Sequence, residues 1–428
     1  MILRNFDSMK SLYDLIVGLV SFFLKIVGLF NEKIKAFVEG RRDVFDRLKE
    51  NIGNSKTIWF HCASLGEFEQ AVPVIEKVRQ LYPNLEILIS FFSPSGFEIK
   101  KNTPLAHLVV YLPLDTKANA QKFIANANPA LVFFVKYEFW PNYLHELRQN
   151  RIPTYLISGV FRKNQLFFKP FGGFMRDSLK AFTHFFVQNE ESLKLINSLG
   201  YSNATISGDT RFDRVTEQLS RDNHLDFAEK FKNNRLCIVF GSTWPEDEEL
   251  FISFLNSKPN DVCFIIAPHK IEKEKIQSFQ QKLEVRSLLH SEIGNRNLKD
   301  FDVLIIDYIG LLSRLYFYAD IAFVGGAAGK TGLHNILEPA TFGVPVVIGK
   351  NFSEFPEAQE LLDKGGLFSV ETKNEAYDLL SRLSKDKTFR NAAGAISKEY
   401  ISGNTGATEK IITAISQKTS LKSDFRHI

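Results

Sequence analysis

Two series of apolar segments, alternating with helical patterns and parted by a charged stretch, constrain the fold of this chain most. The first series is TIWFHCA, LEILISFF, LAHLVVYLP, PALVFFVKYE, PTYLISG, THFFVQ and NATISG. These runs are rich in Val, Ile, Leu and Phe, the composition of strands buried on both faces of a parallel sheet. Between several of them lie helical stretches such as EFEQAVPVIEKVRQLYP and TKANAQKFIANANP. A second series, LCIVFGS, DVCFIIAP, LEVRSLL, DVLIIDY, ADIAFVGG and VPVVIG, repeats the plan. The expectation is an α/β chain of two Rossmann-like domains facing a central cleft, over 51–215 and 233–405, joined by a charged linker at 216–232. Helices are expected over the last stretch, the first capped near Asn374, with 406–428 set apart as a carboxyl-terminal helix and tail.

A length of 428 residues accommodates both domains with a sizeable core each. The net charge of +4 is only mildly basic, so nucleic acid is not demanded as a partner and anionic lipid head groups serve equally well. Cys62, Cys237 and Cys263 lie far apart without paired spacing, which argues against a disulfide framework or a zinc site and suits a reducing cytoplasm.

One segment departs from soluble behaviour. Leu15–Phe30, LIVGLVSFFLKIVGLF, is almost wholly apolar, yet shorter than the roughly 20 residues that cross a bilayer. It lacks a signal-peptide cleavage site, and Asp14 and Lys25 intrude. Lys33, Lys35, Arg41, Arg42, Arg47 and Lys49 follow it, a positive flank of the kind found on the cytoplasmic side. A helix lying in the membrane interface, or a short anchor dipping into it, is expected from residues 1–50, with a buried core helix as the alternative.

The polar loops after these strands carry the candidate chemistry. In HCASLGEFEQA, Ser64 and Glu67 are spaced as a capping box, in which the glutamate returns to the serine amide. The same spacing holds a carboxylate at the mouth of a strand-loop-helix crevice, where α/β proteins bind ligands. In KYEFWPN, Glu138 stands beside Trp140, among bulky neighbours that would desolvate a carboxylate. SGDTRFD and APHK place Arg211, His269 and Lys270 as cations after strands. In GLHNILEPATFGVPVVIG, Asn335 and Glu338 enter a helix three apart, either as another cap or as a ribose-binding pair. GGAAGKTG is one residue short of a P-loop, since Val324 stands where its first glycine belongs, so ATP or GTP hydrolysis is rejected. Its amides could still approach a phosphate. No metal clasp and no nucleophile elbow stand out.

Taken in order, the apolar start with GRRDVFDRL, then HCASLGE, YEFWPN, GDTRFD, the AP before His269, and HNILEPATFGVPVVIG resemble the Kdo transferases. Those enzymes attach 3-deoxy-D-manno-octulosonic acid (Kdo) to lipid A precursors. The resemblance implies a GT-B fold, CMP-Kdo as donor, lipid IVA as acceptor and an enzyme on the cytoplasmic face of the inner membrane. It implies inverting transfer with no metal or other cofactor, and no nucleic acid as partner. Glu67 of the S-x-G-E motif becomes the general base, with Ser64 and Gly66 beside it on the acceptor side. Glu138 and Arg211 fall at positions for transition-state stabilisation. Pro268, His269, the loop Gly310, Leu311 and Leu312, and Asn335, Ile336, Leu337 and Glu338 fall at the CMP site. Kdo transferases commonly carry lysine in place of Arg211 and arginine in place of His269, which leaves the phosphate contact to imidazole protonation or to Lys270. A UDP-sugar transferase and a catalytically silent, membrane-attached sugar-nucleotide-binding protein are the alternatives.

Overall fold

The computed structural model describes residues 2–418. The chain forms two compact units, Met1–Arg214 with Gly406–Ile428, and Val215–Thr405. The first unit holds seven strands, β1 Thr57–Cys62, β2 Glu86–Phe91, β3 Leu108–Tyr111, β4 Pro129–Val135, β5 Thr154–Gly159, β6 His184–Val187 and β7 Ala204–Ile206. They lie in the order β3-β2-β1-β4-β5-β6-β7, every pairing parallel. All six residues of β1 are buried, which explains its unbroken apolar run. The order reverses direction between β1 and β4, and at such a switch point the loops leaving the strands part to open a crevice.

The second unit repeats the plan with β8 Leu236–Thr243, β9 Val262–Pro268, β10 Ser287–Leu289, β11 Val303–Ile305, β12 Ile321–Val324, β13 Val346–Ile348 and β14 Leu367–Ser369. Their order is β10-β11-β9-β8-β12-β13-β14, again wholly parallel, with the switch point between β8 and β12. Strand β14 escaped the sequence reading because GLFSV is short and follows a helix closely. Cys237 and Cys263, far apart in sequence, are register partners on β8 and β9, and both thiols remain free and buried.

Three local readings are corrected. The helix Lys373–Lys385 is capped by Thr372, whose hydroxyl accepts from the Glu375 amide, and not by Asn374. The charged stretch read as a linker contains the helix Asp226–Lys232, and Leu225, Ala228 and Phe231 join a core of the second unit. Charge marks its outer face only. The helix Ala407–Lys418 returns to the first unit, where Ile411, Ile412 and Ile415 enter its core. Asp213 holds the start of that helix, accepting from the amides of Gly406 and Thr408 and from the Thr408 hydroxyl, each at 2.6 Å. Residues of the carboxyl-terminal tail past 418 lie outside the described residues.

The first helix, Ile2–Val27, leaves Leu15, Leu19, Phe22 and Phe23 about half exposed, so the core-helix alternative fails. Among the described residues no helix is long and apolar enough to cross a membrane. The positive flank is thinner than the sequence implied. Arg41 gives its guanidinium to the carbonyls of Phe37, Phe92 and Leu112, and Arg47 donates to Val109 O. Burial lowers the Arg41 pKa to about 10. Lys35, Arg42 and Lys49 remain exposed, and the Lys33 side chain lies outside the description.

Candidate active site

Chain leaving β1 turns at Ser64, whose extended backbone caps the helix Leu65–Leu81. The Ser64 amide donates to Glu67 Oε2 at 2.8 Å, and the Ser64 hydroxyl donates to the same oxygen. Oε1 accepts no hydrogen bond from the described residues. The two readings of this motif are therefore compatible: one oxygen fixes the helix start while the other stays available to a ligand. Glu67 is only 6% exposed, so that oxygen works where Coulomb forces are weakly screened. A Cβ added at Gly66 would meet nothing nearer than Ser64 Oγ at 3.7 Å. The fold does not require glycine there, which keeps the space beside Glu67 open.

Glu138 lies on the loop after the neighbouring strand β4. Lys136 takes φ of 68° at the strand end, a left-handed conformation uncommon outside glycine and concentrated at functional sites. Trp140 Nε1 donates to Glu138 Oε2 at 2.9 Å and to His61 Nε2 at 3.0 Å. Because an indole N–H can only donate, His61 Nε2 accepts and the ring proton sits on Nδ1, toward Ser90 Oγ at 2.8 Å. Ser90 Oγ also accepts from Trp59 Nε1 at 2.8 Å. Glu138 is thereby held by a chain of buried donors running back through β1 and β2.

Arg211 opens the segment after β7. Its amide and Nε donate to Asp209, at 2.9 and 2.8 Å, while Gln70 Nε2 donates to Asp209 Oδ1 at 2.9 Å. Gln70 lies on the same helix as Glu67, so Asp209 ties the arginine to that helix. Tyr137 reports the convergence. Its hydroxyl pKa is raised by burial and by Glu67 and Glu138, and opposed by Arg162 and Arg211. Glu67, Glu138 and Arg211 thus all act electrostatically on one phenol, with Arg162, 5.8 Å from its ring centroid, an added cation.

In the second unit the equivalent turn leaves β8. Trp244 precedes the helix Pro245–Asn256, and its amide donates to Asp247 Oδ2 at 3.0 Å, the counterpart of the Ser64–Glu67 bond. Here the carboxylate also reaches the glycine-rich loop, accepting from Gly326 N at 2.8 Å and Ala328 N at 3.1 Å. This corrects the expectation for that loop, since two amides that could have met a phosphate are occupied by Asp247. Close approach is built in, because a Cβ at Gly325 would stand 2.3 Å from Ser242 O.

Trp244, His269 and His334 pack as three rings. Trp244 stacks on His269 with centroids 4.7 Å apart, and His269 stacks on His334 at 4.3 Å. Trp244 Nε1 donates to His334 Nε2 at 3.1 Å, which requires a neutral imidazole. Burial and the neighbouring His269 lower the His334 pKa to about 4. Desolvation within the stack and the charge of Lys270 lower that of His269 as well. Both effects favour the neutral His269 imidazole, and Lys270, exposed beside it with Nζ 5.4 Å from the Trp244 ring centroid, is the cation at this point.

Asn335 stands next to His334 in this assembly. Its Oδ1 accepts from Leu337 N at 3.1 Å and its Nδ2 donates to Glu338 Oε1 at 3.2 Å. Burial, and after it Glu338, raise the pKa of Tyr316, whose hydroxyl would stand 2.0 Å from a Cβ placed on Gly241 of β8. Leu312, which opens the helix Leu312–Leu315 after Gly310 and Leu311, closes on the same point at the β8 end. Gly310 is exposed with φ of 103°. Pro268 ends β9 beside His269. Ile336 and Leu337 are corrected: at 2% and 0% exposure their side chains belong to the core and are not open to a nucleotide.

Residues 40–214 match the family described as 3-Deoxy-D-manno-octulosonic-acid transferase (kdotransferase). The 3-deoxy-D-manno-octulosonic acid transferase of Haemophilus influenzae is 27% identical over 369 residues, covering 83% of this chain and 85% of that protein. The chain is a relative of the Kdo transferases. A bifunctional glycosyltransferase/methyltransferase of Fusobacterium nucleatum is 26% identical over 83% of this chain, which spans only 56% of that protein's length. Among solved structures, UDP-GlcNAc 2-epimerase from Neisseria meningitidis bound to UDP-GlcNAc superposes with a TM-score of 0.61 at 15% identity, over 85% of this chain and all of that one. The fold is GT-B, two doubly wound parallel-sheet units.

Sequence reasoning missed His61, Ser90, Asp209, Trp244, Asp247 and His334 in this Kdo transferase relative. One signal was present: TWPEDEE follows β8 as SLGEFE follows β1, with a carboxylate three residues past the turn in both. The others act through contacts remote in sequence.

Proposed function

We propose that this chain transfers Kdo from CMP-Kdo to a lipid A precursor, with inversion and without a metal. The observation that carries the proposal is the geometry of Glu67, held by one oxygen and open at the other, in a relative of the Kdo transferases. An acceptor hydroxyl bonded to Oε1 gives its proton to Glu67 as its oxygen attacks the anomeric carbon. The bond from that carbon to the phosphate oxygen breaks, and CMP departs with the electron pair. Glu138 faces positive charge developing on the sugar ring, and Arg211 faces negative charge. Fixed groups of this kind act without reorganising during the step. In the nucleotide half, Glu338 and Asn335 suit the ribose hydroxyls, and Lys270 suits the phosphate because the surroundings of His269 favour its neutral form.

Membrane attachment belongs to the same proposal. The exposed apolar face of the first helix seats in the lipid interface, and each of the exposed Lys35, Arg42 and Lys49 adds about 1 kcal/mol near an anionic leaflet. A cytoplasm-facing enzyme on the inner membrane then reaches its lipid acceptor without extracting it. In the test, purified protein in mixed micelles receives CMP-Kdo, tetraacylated lipid A precursor and EDTA. Release of CMP and a Kdo-bearing lipid in the mass spectrum are expected, and the spectrum counts the sugars added. An intact donor, or transfer only from a UDP-sugar, contradicts the proposal.

A further inference from the structure

An apolar groove of about 390 Å³ runs beside Glu138, within the first unit. The first helix lines it through Leu12, Tyr13 and Ile16, and Leu166, Phe174 and Met175 complete its apolar lining, with the Tyr13 and Phe174 ring centroids 5.4 Å apart. Tyr137, Glu138 and Trp140 line it as well, so an apolar channel opens directly onto a carboxylate of the candidate site. The walls are pinned rather than loosely apposed. Tyr13 Oη donates to Asp115 Oδ2 at 2.7 Å, and Asn142 Nδ2 donates to Asp14 Oδ1 at 2.8 Å. Asp115 also accepts from the amides of Asn142 and Tyr143, at 3.1 and 3.0 Å, which start the helix following Glu138. The groove is thus locked to the loop that presents Glu138.

We infer that this groove binds one acyl chain of the lipid acceptor and so sets the acceptor's position against Glu138 and Glu67, an inference that rests on the proposed transfer. Three observations select this occupant. Leu12 and Ile16 are 55% and 50% exposed and continue into the uncovered apolar face of the same helix, so the groove borders whatever apolar phase covers that face. Leu166, 51% exposed and outside the first helix, adds a second exposed apolar side chain to the lining. Its lining also includes Glu138 and the Trp140 indole, a polar pair that fits an amphiphile whose hydroxylated head follows its tail. At ~30 Å³ per water-sized group the groove holds about a dozen such groups, one chain of medium length.

Binding is read without turnover. A brominated dodecanoyl amphiphile, below its micellar concentration, should quench tryptophan fluorescence saturably, with Trp140→Phe removing the effect and so assigning it. Ile16→Asp and Leu166→Asp, both at exposed positions of the lining, should each weaken that binding about ten-fold. The Leu166 variant separates the groove from any role of the first helix in anchoring. In transfer assays both variants should raise KM for acylated acceptor about ten-fold while kcat/KM on fully deacylated acceptor stays within about two-fold. Absence of saturable quenching in the unmodified protein, or unchanged binding in both variants, overturns the inference. Saturable quenching in a protein that transfers to neither acceptor sinks the proposed reaction and leaves the groove standing.

Discussion

Asp247→Ala should free the glycine-rich loop of the second unit. Asp247 is fully buried and accepts from three amides, those of Trp244, Gly326 and Ala328 at 3.0, 2.8 and 3.1 Å. A buried donor left without its acceptor costs about 1–3 kcal/mol. Two terms reduce the sum. Burial raises the Asp247 pKa, so removing the charge relieves a desolvation penalty, and water can enter the space vacated. The net loss is then about 3 kcal/mol, the low end for three donors, equivalent to roughly a hundred-fold in the opening equilibrium. Hydrogen exchange at the Gly326 and Ala328 amides reads it directly. Both should be protected in the parent and exchange about a hundred-fold faster in the variant, with Asp247→Asn between them. Unchanged protection at either amide would refute this account of the loop.

Asp213→Ala removes three hydrogen bonds from the start of the helix Ala407–Lys418 and should destabilise it by about 1–2 kcal/mol, seen as faster proteolysis within that helix. Retained resistance would show that Ile411 and Ile415 suffice to dock it. His334 is held neutral in the fold, with its pKa lowered from 6.5 to about 4, so unfolded chain takes up the proton first as the pH falls. Stability present above 6.5 should therefore decline toward pH 4, and His334→Gln should flatten that decline in urea titrations. Phe22→Ser with Phe23→Ser removes two side chains that are 59% and 57% exposed and should cut sedimentation with anionic vesicles at least about ten-fold without changing the unfolding midpoint. Equal sedimentation would move the membrane contact elsewhere.

Much of this fold was legible because doubly buried strands write themselves as continuous apolar runs, and thirteen of them stood out. What stayed hidden was mostly tertiary. Nothing in the sequence tells that Ala407–Lys418 crosses back to the first unit, because the Asp213 cap joins residues almost two hundred apart. Charge misled twice. It marked Asp226–Lys232 as linker, although one face of that helix is core. It also counted Arg41 and Arg47 toward a basic flank, although carbonyls at the ends of buried strands hold both. The site was legible where chemistry and helix start coincide, as at Glu67. It was illegible where a side chain takes its partner from a segment remote in sequence, as with His61, Ser90 and His334. The glycine loop looked like a phosphate cradle because its composition is that of one, but Asp247 fills it from the helix after β8.

The central claim is that Glu67 is the base of a Kdo transfer, and Glu67→Gln tests it most directly. Glutamine keeps an oxygen for the Ser64 amide, so the helix start should survive, while the capacity to accept a proton is lost. Single-turnover transfer from CMP-Kdo to lipid acceptor should fall by about 10²- to 10⁴-fold. CMP affinity by calorimetry and the unfolding midpoint should stay close to those of the parent. A folded Glu67→Gln protein that transfers Kdo at near-parental rate would contradict the account.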